Sequence, residues 1–184
     1  PAKISDIQID PECDIILLDG KNVSYKEHIY IMLNKPQGVV SATEDRQHTT
    51  VLDLVPPPLY RSGLFPAGRL DKDTEGFVLL TDDGDFAHRI LSPKKHVPKT
   101  YQAVIDQPVN QTDIALFQEG ITLADGTVCM SAQLNVLDPR PQPLVEIVLQ
   151  EGKYHQIKRM FESRGKKVLS LKRTKIGGLD LDPN

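Results

Sequence analysis

The sequence predicts an α+β protein with one mixed, mainly antiparallel central sheet flanked by helices. Strand-like segments predominate, turn signals join many of them as hairpins, and the few helical stretches do not alternate strictly with strands. A length of 184 residues leaves room for one substantial domain and a small appendage.

Residues 1–28 are polar and proline-containing, with one short apolar run at 15–18 before the turn signal Asp19-Gly20. They read as a peripheral strand pair or the end of a separate module. From Tyr30 the pattern is denser. "YIMLNKP" reads as a buried strand stopped by Pro36, "GVVSA" as its neighbour after a Pro-Gln-Gly turn, and "TTVLDLVPPP" ends at prolines that no helix or central strand tolerates. "GFVLLTDDGDFAHRILS" is a strand, a turn and a helix capped near Asp83 or Asp85. "KTYQAVID" is a strand, and "NQTDIALFQEG" a short helix closed by Gly120. "TLADGTVCMSAQLNVL" carries the Asp-Gly turn of a hairpin, and "PLVEIVLQEG" alternates as a strand. "YHQIKRMFESRG" fits a helix ending at Gly165 with Ile157, Met160 and Phe161 along one stripe, and "KKVLSLKRTKIGG" is a last strand running into a glycine turn.

A charged fraction of 26% and a hydrophobic fraction of 39% are those of a soluble globular chain. No apolar run approaches the roughly 18 residues needed to cross a bilayer, and the N-terminus lacks a signal-peptide pattern. Cys13 and Cys129 lie far apart and outside any metal spacing, so a reducing cytoplasm is the expected compartment. A start at Pro1 suggests processing or truncation.

The net charge of -3 argues against a uniformly basic nucleic-acid binder, but the charge is segregated. Residues 151–175 hold nine lysines and arginines against Glu151 and Glu162, and "HRILSPKKHVPKTYQ" contains no acid. Such segregation fits a polyanion site on an acidic body; a solvated charged face is the plainer alternative.

"GRLDKDTEGFVLLTDDG", residues 68–84, concentrates five acids. From Asp71 its spacing approaches a calcium-binding EF-hand loop, which requires a helix on each side. Gly63, Pro66 and Gly68 forbid an entering helix, residues 77–80 read as a buried strand, and Asp82 is too short for the usual bidentate glutamate. The metal reading fails on context. Asp73, Glu75, Asp82, Asp83 and Asp85 read as loop, turn and cap residues, and Asp71, flanked by Arg69-Leu70, would ordinarily be one too.

Taken together, "YIMLNKPQGVVSA", "GRLDKDTEGFVLLTDDG", "KTYQAVI", "EGKYHQIKRMF" and "VLSLKRTKIGG" resemble the ordered motifs of RNA pseudouridine synthases over residues 29–180. The branch they resemble most is the RsuA-like one, and "SPKKHVPKTY" with "GKYHQIKRMF" is similar to members acting on small-subunit rRNA; large-subunit members more often carry Asn-Arg where Tyr154-His155 stands.

The resemblance implies the pseudouridine synthase fold over 29–184, with 1–28 the remnant of an N-terminal RNA-binding domain of the S4 type and its linker. It implies isomerisation of uridine to pseudouridine in 16S rRNA, with 23S rRNA as the alternative. The substrate would be ribosomal RNA or a ribosomal assembly particle, and the chain would act as a monomer without membrane contact. The rival from another class is a non-catalytic RNA-binding or ribosome-assembly protein.

Pseudouridine formation involves no redox step or group transfer, so no cofactor and no metal are expected. It needs an ionised carboxylate facing sugar and base, which the family's G-R-L-D motif places at Asp71. The resemblance makes Lys158 its cationic partner, Tyr101 the ring that stacks on the target base, and Ile157 and Leu169 apolar residues lining the pocket. Arg69 becomes a wedge or phosphate contact beside the everted base, with Arg159 of the basic patch and Lys99, near Lys94 and Lys95, contacting the RNA. His88, His96 and His155 read as structural or RNA-contact residues rather than acid-base catalysts. The missing front of the S4-type domain and the stop at "LDPN" imply weaker RNA binding than in longer relatives.

Overall fold

The structure, a computed structural model, describes residues 8–10, 13–23 and 26–183. Near the N-terminus, β1 (Leu17–Leu18) and β2 (Lys21–Asn22) form a separate two-stranded hairpin. Asp19 and Gly20, both at positive φ, turn it, as the Asp-Gly signal predicts. The rest of the expected N-terminal strand pair falls partly on 1–7, 11–12 and 24–25, outside the described residues.

The main body runs β3 (Tyr30–Lys35), β4 (Phe65–Ala67), β5 (Glu75–Thr81), α1 (Gly84–Leu91) and β6 (Lys99–Ile105). It continues through α2 (Gln111–Glu119), β7 (Gln133–Asp138), β8 (Leu144–Leu149), α3 (Gln156–Glu162), β9 (Val168–Ile176) and β10 (Leu179–Asp180). The sheet order is β3-β5-β9-β6-β8-β7, with β4 also against β5 and β10 against β9. Among the described strands of this sheet only the β5–β9 pair is parallel, so the sheet is mixed and mainly antiparallel, as expected.

Strand alternation sorts the side chains into two cores. One face buries Val78, Leu80, Ala103, Ile105, Val145, Ile147 and Leu171 against Phe117 of α2 and Ile157, Met160 and Phe161 of α3. The Phe117 and Phe161 rings meet with centroids 4.9 Å apart. Each ring contributes about 1.5–3 kcal/mol by leaving water. The other face buries Phe77, Leu79 and Ala67 beneath Ala87 of α1. Asp83 caps α1 by accepting from Phe86 N–H, and Asn110 with Asp113 forms a reciprocal capping box on α2.

Three element expectations need correction. "GVVSA" is not the strand beside β3; Val40 makes only an isolated parallel bridge to Thr50, because β5 occupies the pairing edge of β3. The Asp-Gly hairpin near 125 is likewise reduced to one bridge, Thr122 to Val128. Finally, α3 starts at Gln156 rather than Tyr154, because His155 adopts a left-handed backbone (φ 48°, ψ 34°) at its N-cap.

At Gly76, φ is 102° and an added Cβ would sit 2.2 Å from the Arg173 carbonyl oxygen, backbone against backbone. Gly76→Ala is therefore expected to lower stability by roughly 2 kcal/mol or more. Denaturant unfolding tests this; an unchanged midpoint would show that β5 and β9 are not held this close.

A candidate active-site cleft

Asp71 lies in the loop between β4 and β5, and the backbone fixes it from several sides. Thr74 N–H donates to the Asp71 carbonyl at 3.0 Å, closing a turn. Ser41 Oγ donates to the Leu70 carbonyl at 3.1 Å and accepts from Leu70 N–H at 3.0 Å. Lys35 is wholly buried, and its ammonium donates to the carbonyls of Val39 (2.8 Å), Pro36 (3.0 Å) and Lys72 (3.3 Å). One cation thus ties the end of β3 to the residue following Asp71. Burial holds the Lys35 pKa below its usual value, against the opposing pull of Asp73, Asp71 and Glu75. Lys35 carries no sequence periodicity that marks it, and sequence reasoning missed it.

The segment facing Asp71 comes from α3 and the loop before it. Glu151 accepts from Met130 N–H (2.8 Å) and Gln156 Nε2 (2.6 Å) and pairs with Lys153, while Gln156 Oε1 accepts from Lys153 N–H at 2.9 Å. This network presents an ammonium and an imidazole to Asp71. Lys158 Nζ stands 3.5 Å from Oδ2, and His155 Nε2 stands 3.6 Å from Oδ1. The closer partner of Lys158 is Asp73, at 2.6 Å, and that hydrogen bond holds the Asp73 carboxyl below its ordinary value. Lys158 therefore bridges two carboxylates rather than serving Asp71 alone. The approach of Asp73 depends on the loop turning back between 71 and 74, which spacing does not reveal.

Tyr101, Leu149, Ile157 and Leu171 line the cleft together with Arg69, Leu70, Asp71 and Thr74. The Asp71 side chain is 32% exposed, open enough to meet a ligand yet held beside the Lys158 ammonium. A flat polar ring can enter over Tyr101 and meet a carboxylate at its edge.

The expected residues Asp71, Tyr101, Lys158, Arg69 and Ile157 are thus brought together. Three others are not. Leu169 is 46% exposed: Ile105 pairs with Val168 and Val104 with Ser170, so Leu169 is the extra residue of a bulge that turns it outward, and Leu171 takes its place. Lys99 lies outside the cleft lining, with its ammonium on the Val97 carbonyl and its pKa lowered by burial and then by Arg173. Arg159 points away to Asp125 at 2.5 Å. The acidic segment is flanked by strands β4 and β5, not by the helices of a calcium loop.

The sequence profile of RNA pseudouridylate synthases matches residues 29–163. The chain belongs to the RNA pseudouridine synthase family. It is 45% identical over 184 residues to an uncharacterised RNA pseudouridine synthase of Bacillus subtilis, covering all of this chain and 77% of that one. It is 41% identical to ribosomal small subunit pseudouridine synthase A of Yersinia pestis, covering 98% and 76% respectively. A solved pseudouridylate synthase at 42% identity superposes with a TM-score of 0.77 over 98% of this chain and 76% of the other. The pseudouridine synthase fold recurs at 18% identity, TM-score 0.57, in an H/ACA RNP bound to a substrate RNA containing 2'-deoxyuridine; that match covers 83% of this chain and 49% of the other. The chain is thus an RNA-acting isomerase of the RsuA-like kind. Among the described residues, no helix is long and apolar enough to cross a membrane.

Proposed function

We propose that this pseudouridine synthase isomerises uridine in 16S small-subunit rRNA, without a cofactor, and that Asp71 is its essential carboxylate. The observation that carries the reading is Asp71 held within 3.6 Å of both Lys158 and His155 at the edge of a cleft lined by Tyr101. Relatives at 41–42% identity that bear the small-subunit name support the choice of RNA.

In the reaction the C1'–N1 bond breaks, the base turns and C1' joins C5. The hydrogen on C5 is lost and N1 gains one, so atoms balance without a co-reactant. Asp71 faces the sugar and base during these steps, Tyr101 stacks on the turning ring, and Lys158 offsets the negative charge. Ile157, with Leu171, keeps the slot dry, and Arg69 stands at the rim where the everted nucleotide passes. Residues 29–184 form the catalytic domain, and 1–28 the end of an S4-type RNA-binding module. The chain acts as a monomer where ribosomes are assembled, in the cytoplasm.

Two measurements test this. The purified chain should release tritium from C5-labelled uridine in 16S rRNA or its assembly particle, and not from 23S rRNA. Cells lacking the protein should lose a pseudouridine from 16S rRNA. Tight RNA binding with no tritium release would instead favour the assembly-protein reading.

Lys158→Met leaves Asp71 and Asp73 facing one another without their shared cation. Like charges at close range favour protonation of one, so the acid limb of the pH–rate profile should move to higher pH. The rate at neutral pH should fall roughly 10- to 100-fold. An unchanged profile would refute this role for the lysine.

A further inference from the structure

Tyr154 precedes the cleft residue His155 in the chain and is 75% exposed. Its ring nonetheless has a fixed place: it lies nearly parallel on the His155 imidazole, centroids 3.9 Å apart and planes 16° from coplanar. His155 in turn lines the cleft and reaches Asp71 with Nε2. The two rings form a short column beginning beside the proposed catalytic carboxylate and ending in solvent.

Several features hold that column in place. His155 sits in the left-handed region at φ 48°, a conformation that costs a non-glycine residue and is kept where surroundings enforce it. The Tyr154 carbonyl accepts from Arg159 Nη1 at 3.5 Å, and Arg159 is itself anchored on Asp125. Neither the fold nor the chemistry proposed for Asp71 uses the outer face of the tyrosine. An exposed aromatic ring already stacked on one side is pre-ordered to accept another flat ring on the other.

We propose that the Tyr154–His155 column is a stacking site for a nucleobase next to the target uridine in the RNA chain. This rests on the reading that the cleft takes a uridine out of RNA. Everting one nucleotide removes a stacking partner from its neighbour, and a prearranged aromatic face beside the cleft replaces it. Lys153 and Arg69 line the same cleft and supply positive charge for the connecting phosphates.

The test uses the full chain and single-stranded oligouridylates carrying one 2-aminopurine, placed in turn on either side of a central uridine. The wild type should quench the 2-aminopurine at one flanking position. Tyr154→Phe, which keeps the ring face, should retain both quenching and affinity. Tyr154→Ala should lose the quenching and bind about 10-fold more weakly. An abasic site at the same position should weaken the wild type by a similar factor and leave Tyr154→Ala unaffected.

Equal binding by wild type and Tyr154→Ala, or losses from the variant and the abasic site that simply add, would overturn the proposal. The first result is what a protein-docking tyrosine would give. Quenching reports binding alone, so an intact signal without tritium release from labelled rRNA would count against the catalytic reading and not against the stacking site.

Discussion

Asp71→Asn is expected to reduce tritium release from C5-labelled uridine in RNA by about 10⁴-fold or more, the scale on which loss of an essential nucleophile or base is felt. The amide matches the carboxylate in size but is neutral, and can neither attack nor take a proton at useful rates. Little else should change. Lys158 keeps its 2.6 Å contact with Asp73, and the loop is held by backbone contacts from Thr74, Ser41 and Lys35 that do not involve the Asp71 side chain. The melting temperature should stay within a few degrees, since a change of about 1 kcal/mol moves it only about 2–4 °C in a domain near this size. RNA affinity should hold or rise slightly, because a negative charge has been removed facing a polyanion. A fully active variant would end the assignment of Asp71, and a variant that loses activity through unfolding would reveal itself in the melt.

The largest loss of stability is expected from Asp113→Ala, about 3–5 kcal/mol. Asp113 is completely buried, yet its carboxylate is fully engaged. It accepts from Asn110 N–H at 3.0 Å in the capping box, from Arg164 Nε at 3.2 Å and from Lys166 Nζ at 3.1 Å. The residue therefore clamps the start of α2 to the turn that ends α3, the helix carrying Lys158. Truncation leaves two cations and a helix N-terminus without their anion.

Burial pushes the Asp113 pKa up, but the Asn110 N–H, Lys166 and Arg164 outweigh it and hold the carboxyl below its ordinary value. A group whose native pKa is lowered contributes its stability above the unfolded value, near 4, and loses it as pH falls through the native one. Thermal melts should show a wide gap between wild type and variant at pH 7, narrowing below about pH 4. A gap of constant width would mean that the carboxylate's charge contributes nothing. Asp113→Asn, which keeps an acceptor for the cap, should lose less than Asp113→Ala.

Much of this arrangement is legible in the sequence, for identifiable reasons. Strands β5, β6 and β8 declare themselves because each lies in the sheet interior with one or both faces covered, so apolar runs or strict alternation survive. Asp71, Tyr101 and Lys158 are recognised through short motifs whose order along the chain is specific, and the fold brings all three to one cleft. What escapes detection depends on single-residue irregularities. Leu169 and Leu171 share a parity, and only the bulge opposite Val104 and Ile105 decides which of them faces the cleft. His155 looks like the second residue of a helix, and its left-handed backbone, fixed by tertiary contacts, turns it toward Asp71. Asp73 reads as a surface acid because nothing local announces that its loop returns to meet Lys158.

The ladder between β5 and β9 spans only two registered pairs, Glu75 with Lys172 and Gly76 with Arg173, before β4 takes over that edge of β5. Asp71 belongs to the half containing β3, β4 and β5, whereas Tyr101, Lys158 and Leu171 belong to the other. The reacting groups thus straddle a zipper with almost no teeth, closed by side-chain packing and by Arg173 Nε donating to the Phe77 carbonyl at 2.8 Å. On gentle warming, catalytic competence should fade some degrees before the far-ultraviolet circular dichroism signal does, because slight parting of these halves misplaces the carboxylate while every strand stays folded.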